Sequence, residues 1–193
     1  MHIRLLTTLG TAALLLGPLP LSLHAQAGTS PPKDSIQADA EFVRHAVAHS
    51  LMEVQLGQFA ENHAANKMVR GFGERMAIEP QRLQDQWTGL AAKHGMPVKP
   101  ALTPSQKQHV AQLEKAGASF DKEYMIATIK GHTKDAARLK TEIDSARSEP
   151  VRKMAAYALP IVRDHLLSAQ AAGKEVGVDS ATVARSEHVA ESK

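Results

Sequence analysis

Apolar residues recur at spacings of three and four along most of the chain, the period of an amphipathic helix. From about Ser35 to Ala64 the stripe is Phe42, Ala46, His49, Glu53, Leu56, Ala60 and His63. Asn66 is a good N-cap for a second helix, with a stripe of Val69, Phe72, Met76, Glu79, Leu83, Trp87 and Leu90 before Gly95 ends it. Residues 95–118 form a connection of 24 residues. Within it, Thr103-Pro104-Ser105-Gln106 reads as a capping box with proline at the first helical position. It opens a short helix to about Lys115, which Gly117 stops. A third long helix is predicted from about Phe120 to Ala146, with Met125, Ile129, His132, Ala136, Leu139 and Ile143 on its stripe. Ser148-Glu149-Pro150 opens a fourth. Its stripe is Val151, Met154 or Ala155, Ala158, Ile161 or Val162, His165 and Ala169, and Gly173 and Gly177 end it. Residues 176–193 lack a persistent apolar face, so a C-terminal tail that is loose or marginally helical is expected.

Four such helices predict an all-α four-helix bundle. The first and third connections are short, so those helix pairs should be antiparallel. The middle connection can span a bundle of roughly 40 Å at 1.5 Å per residue. It therefore predicts a ferritin-like arrangement with one long crossover between helices two and three. Pro80 and Pro160 fall inside long helices and should kink them, and Pro80 disfavours helical geometry at Glu79 before it. The two halves are faintly alike, each opening near a phenylalanine, Phe42 or Phe120. Each second helix begins with a Val-Arg pair, Val69-Arg70 or Val151-Arg152.

Composition narrows the function classes. The 193 residues include no Cys, which excludes disulfides, thiol chemistry and Cys-ligated zinc. The formal net charge is only +3, and no run of bases lies on one face, so nucleic-acid binding is not supported. The chain opens with Met1-His2-Ile3-Arg4, an apolar stretch from Leu5 to Leu16, and Ala25-Gln26-Ala27. This is the pattern of a secretory signal peptide cleaved after Ala27, and it implies export to a periplasm. The apolar stretch is shorter than the roughly 20 residues that span a bilayer, so no transmembrane anchor is expected after cleavage. The expected order is a signal peptide over 1–27, a flexible lead-in over 28–34, the bundle over 35–175 and the tail over 176–193.

The informative positions are polar residues on apolar stripes, because burial without a partner is costly. Glu53, Glu79, His132 and His165 lie near the middles of the four helices. Counted along a crossover bundle, they fall roughly 12–20 Å from one end. His49 lies one turn before Glu53. Carboxylates and imidazoles from facing helices are the donors of bundle metal centres, here for iron, manganese or zinc. A full di-iron set also needs two Glu-x-x-His pairs, and the sequence has none. Hydrogen bonding among these groups across the core is the alternative.

Leu51-Met52-Glu53-Val54-Gln55-Leu56-Gly57, Phe120-Asp121-Lys122-Glu123-Tyr124 leading to Gly131-His132, and Ala158-Leu159-Pro160 leading to Asp164-His165-Leu166 resemble the bacterial domain of unknown function 4142 family. The resemblance spans roughly residues 38–173. It implies an exported, ferritin-like bundle whose biochemical activity is not established. Family members commonly carry an acidic-His pair in the second helix, where this chain has Glu79-Pro80. Two readings follow. One is a non-catalytic envelope protein with a binding or structural role, no cofactor and an unknown envelope partner. The other is a ferritin-like metal protein with a degenerate site at Glu53, His132 and His165, assisted by Glu79 or His49, in redox or stress protection. Neither fixes the oligomeric state.

Overall fold

The computed structural model describes the backbone of residues 33–191 and the side chains of 39–186. The expected export signal and most of the lead-in lie outside the described residues. Six α-helices follow one another: α1 Lys33–His63, α2 Lys67–Lys93, α3 Pro104–Glu114, α4 Phe120–Ser145, α5 Glu149–Glu175 and α6 Ser180–Glu191. A 3-10 turn, Gly117–Ser119, leads into α4. No described helix is long and apolar enough to cross a membrane.

The helix ends follow local chemistry. Asn66 accepts hydrogen bonds from the Met68 and Val69 amides at the start of α2. Thr103 and Gln106 form the reciprocal capping box of α3. Ser148 accepts from the Val151 amide at the start of α5.

α1, α2, α4 and α5 are the long helices of the bundle. Across the α1–α4 face, His45 meets Arg138 and Phe59 meets Phe120, so the two run antiparallel. Across α2–α5, Arg75 meets Ser168 and Glu79 meets His165, again antiparallel. The connection from α2 to α4 therefore travels the bundle's length. Its start, at Met96, packs in the apolar cluster of Trp87, Leu83, Val43, Leu139 and Val151. Its α3 residues Val110 and Leu113 pack in a second cluster with Phe72, Phe120, Tyr124, Ile129 and Leu166. This is the long crossover of a ferritin-like bundle.

An internal two-fold relation links the halves. Asp121 of α4 accepts from the Ala65 and Asn66 amides in the α1–α2 turn, at 3.2 and 2.6 Å. Asp39 of α1 accepts from the Arg147 and Ser148 amides in the α4–α5 turn, at 3.3 and 2.8 Å. Arg70 donates to the Ala64 carbonyl, and Arg152 donates to the Ala146 carbonyl. Each of these pairs is offset by 82 residues. The same offset makes Tyr124, not Phe120, the counterpart of Phe42.

α1 and α2 approach most closely at Gly57 and Gly73. A Cβ on Gly57 would lie 2.6 Å from the Ala77 nitrogen and the Met76 carbonyl carbon. One on Gly73 would lie 2.7 Å from Ala60 Cβ and the Glu61 nitrogen. Hydrogen in place of a side chain at both positions lets the two backbones touch.

Two expectations need correction. Glu79 is helical although it precedes Pro80, and α2 and α5 run on past Pro80 and Pro160. Pro80 is fully buried, so its ring is part of the packing. Gly173 lies inside α5 rather than ending it, since the left-handed glycine just past the helix is Gly177, at φ +72°. Of the two states expected of the tail, α6 is the helical one. Asp179 caps that helix by accepting from the Thr182 amide and hydroxyl, Val183 is buried, and Gln170 of α5 donates to Ser186.

Candidate metal centre

A polar layer separates the two apolar clusters. α1 supplies His49 and Glu53, one turn apart on its inward face. α4 supplies His132 and Asp135, three residues apart and so also on one face. His49 Nε2 lies 3.0 Å from Glu53 Oε1 and 2.7 Å from Asp135 Oδ2. His132 Nε2 lies 3.3 Å from the same Glu53 oxygen. Among the described residues, His49, Glu53 and Asp135 form the one group of three or more such side chains with donor atoms mutually within 4.8 Å.

These separations are short, but they are not those of a satisfied network. His49 Nε2, Asp135 Oδ2 and His132 Nε2 are buried and make no hydrogen bond, because their directions do not suit one. His132 shows why. Its Nδ1 is 3.2 Å from the Thr128 carbonyl oxygen, which can only accept, so Nδ1 carries the proton of the neutral ring. Nε2 then carries a lone pair rather than a proton, 3.3 Å from Glu53 Oε1 and without a hydrogen bond. The ring is 2% exposed, and burial holds its pKa below the ordinary value, so it stays neutral.

Electrostatics agree with this arrangement. Burial alone would push Glu53 up, but the His49 imidazole, the largest opposing group, pulls it down to about 2. Burial also works to lower His49, yet Glu53 and Asp135 outweigh it and hold the ring well above its ordinary value. The Glu53 carboxylate thus remains charged at a buried point, and the ion-free cluster answers it with a proton on His49. Two ligands at about 2.1 Å in tetrahedral geometry sit about 3.4 Å apart. The separations of 2.7 and 3.0 Å from His49 to the two carboxylates would need to open by about 0.4–0.7 Å, and His132, outside the group whose donors all lie within 4.8 Å of one another, would need to move inward to join them. A backbone carbonyl that fixes the tautomer of a ligating histidine is the usual outer support of such a centre.

His165 and Glu79, placed in the same layer by the sequence, do not join these donors. His165 Nε2 pairs with Glu79 Oε2 at 2.7 Å. Arg75 donates to both Glu79 oxygens at 2.9 and 3.1 Å, to Ser168 Oγ at 2.9 Å and to Asp164. His165 still touches the first set, its ring packing edge-on to His132 with centroids 5.5 Å apart. Asp135 and Arg75 escaped the sequence reading. Their only signal is spacing, three residues after His132 and four before Glu79.

A cavity of about 300 Å³ opens onto the donors. His49, Glu53 and His132 line its inner end, Met52, Leu56, Met76 and Tyr124 line its walls, and His109 of α3 is part of the lining. A larger, more open groove of about 960 Å³ beside the crossover carries His45 and Arg138 but none of the converging donors.

No curated protein and no solved structure matches the chain. Residues 24–172 match the family model described as a domain of unknown function, DUF4142, and because that span covers most of the sequence, the chain belongs to the DUF4142 family.

Proposed function

We propose that this protein binds a divalent transition-metal ion, iron, manganese or zinc, through His49, Glu53 and Asp135, with His132 as the fourth donor. The observation that carries the reading is the lone pair on His132 Nε2, buried and without a hydrogen bond, 3.3 Å from a charged carboxylate. A cation between them turns that repulsion into coordination. A purely structural role in the envelope is the competing reading, and it leaves this contact unexplained. The cavity reaching His49, Glu53 and His132 gives small molecules access to the ion, which suits redox or stress protection. The basic, apolar and small-x-small pattern of residues 1–27 supports a place of action in the periplasm.

The experiment is metal analysis of protein purified without a histidine tag, followed by calorimetric titration with Zn(II) and Mn(II). Binding should weaken at least tenfold in Glu53→Gln and in His132→Ala, and much less in Lys130→Ala at the cavity lining. Wild-type protein without metal affinity, or affinity indifferent to Glu53 and His132, would leave the structural role.

A further inference from the structure

The cavity that reaches the donors is larger than a diatomic or a peroxide needs. Its volume of about 300 Å³ would hold about ten waters at their liquid share of about 30 Å³ each. At its inner end, His132 Nε2 is buried and makes no hydrogen bond. Met52, Leu56, Met76 and Ala127 give it apolar walls. Lys130 and Lys134, one turn apart on α4, are exposed and also line it, and Glu53 is the one carboxylate in its lining among the described residues. Metal binding uses up that negative charge. Carboxylates ligate as anions, so Glu53 and Asp135 together balance one divalent ion, and the two lysines are the charge left over around the cavity. A cleft of one sign with apolar walls draws in ligands of the other sign. Apolar walls with a few polar groups converging at one end are also the build of a site for a small organic molecule. An inorganic anion would leave Met52, Leu56 and Met76 against water.

We propose that this cavity binds a small organic carboxylate, whose head group ligates the ion held by His49, Glu53 and Asp135 and whose apolar body lies against Met52, Leu56 and Met76. The inference rests on the metal-centre reading above and supplies the ligand of that same site. An octahedral ion such as Mn(II) accepts ligands beyond those the chain offers, and a tetrahedral zinc centre can expand to five. Lys130 and Lys134 offset the charge that the carboxylate brings. Both parts of the ligand are needed. A head alone gains no apolar contact, and a body alone gives the ion no donor.

The test uses full chain made without a histidine tag, with Mn(II) and Zn(II) in parallel. Metal uptake is measured first, by calorimetry, and each loaded form is then titrated with benzoate, acetate and benzyl alcohol. Benzoate should bind a loaded form about tenfold or more tighter than acetate, which has the head alone, or benzyl alcohol, whose head is uncharged. It should bind metal-free chain at least about tenfold more weakly. Ala127→Phe fills the cavity from the α4 wall, and it should keep the metal and lose benzoate. Ala127→Leu is the second variant should Ala127→Phe fail to fold by circular dichroism. Loaded chain that ignores benzoate, or that binds acetate as tightly, overturns the carboxylate site and leaves the metal centre standing. So does benzoate binding that is indifferent to the metal or to a folded cavity-filling variant. A chain that takes up neither metal overturns the metal centre and this inference with it.

Discussion

Substituting Gly57 by alanine adds one methyl group to a helix, and elsewhere on a helix that change stabilises. Alanine is better than glycine inside a helix by about 1 kcal/mol. Gly89, in α2, has nothing within 4 Å of where its Cβ would stand, so Gly89→Ala should show that gain. With about 2–4 °C per kcal/mol for a chain of this size, Tm should rise by about 2–4 °C. Gly57 lies under opposite constraints. Its new Cβ would sit 2.6 Å from Ala77 N, 2.6 Å from Met76 C and 2.9 Å from Gly73 O. These are backbone atoms of a helix and cannot rotate aside, so α1 and α2 must part by roughly half an ångström or more along buried Leu56, Ala60, Phe72 and Met76. Overpacking of this kind costs about 3 kcal/mol at the upper end of its usual range. Against a propensity gain of about 1 kcal/mol, the net loss is about 2 kcal/mol, or a Tm lower by about 4–8 °C.

The assay is thermal unfolding by circular dichroism of the wild type, Gly57→Ala, Gly73→Ala, the double variant and Gly89→Ala. Gly73→Ala should resemble Gly57→Ala, since its Cβ would strike Ala60 Cβ and Glu61 N at 2.7 Å. The double variant should lose less than the sum, because one separation of the helices relieves both clashes. A Gly57→Ala protein as stable as Gly89→Ala would refute the close approach of α1 and α2.

Two further outcomes follow from the same geometry. In metal-free protein, Glu53 is drawn down from 4.5 to about 2, so its ion pairing contributes above pH 4.5 and is lost as pH falls toward 2. His49 is raised, so its contribution is complete below pH 6.5 and fades as pH climbs through its folded value, while neutral, buried His132 opposes it on the acid side. The stability gap between wild type and Glu53→Gln, measured by urea unfolding in chelator, should be largest between pH 4.5 and 6.5. A gap of the same size at pH 3 would sink that account. Asp39→Ala and Asp121→Ala each remove two charged acceptors from amides of the opposite hairpin's turn, and each should cost about 1–3 kcal/mol. Urea midpoints unchanged in both would show that these contacts are not what closes the turns.

Much of this was readable before any coordinates. The period of the stripes fixed the four long helices to within two or three residues at most ends, because each long helix has one face that must be buried. Counting residues along a crossover bundle put Glu53, Glu79, His132 and His165 in one layer, and they are there. Which of them share donors was not readable. Counting levels says nothing of azimuth, and the rotation of α2 about its own axis decides whether Glu79, with Arg75 on the same face, turns toward Glu53 or toward His165 and Asp164 of α5. Asp135 was hidden for a related reason, since an acid beside Lys134 on a helix reads as solvated surface. α6 was hidden because its apolar contribution is little more than Val183, and because Gln170 and Ser186 complete its contact through a buried polar pair.

The offset of 82 residues explains why carboxylates gather at this level and where the chemistry departs from symmetry. Under it, Glu53 and Asp135 are counterparts, as Asp39 and Asp121 are. The bundle's own two-fold relation therefore brings one acid from each hairpin to the middle of the α1–α4 interface. The imidazoles obey no such rule. His49 corresponds to Gly131, His132 to Ser50 and His165 to Leu83. At Gly131 a Cβ would stand 3.7 Å from His49 Cε1, in ordinary van der Waals contact with the ring. The contacts that close the hairpins keep the repeat, and the donors that could hold an ion break it. A structural layer needs only the first. Two imidazoles placed against the symmetry beside the Glu53–Asp135 pair, His132 with a buried Nε2 that makes no hydrogen bond, are what the proposed metal centre would use and what packing alone does not require.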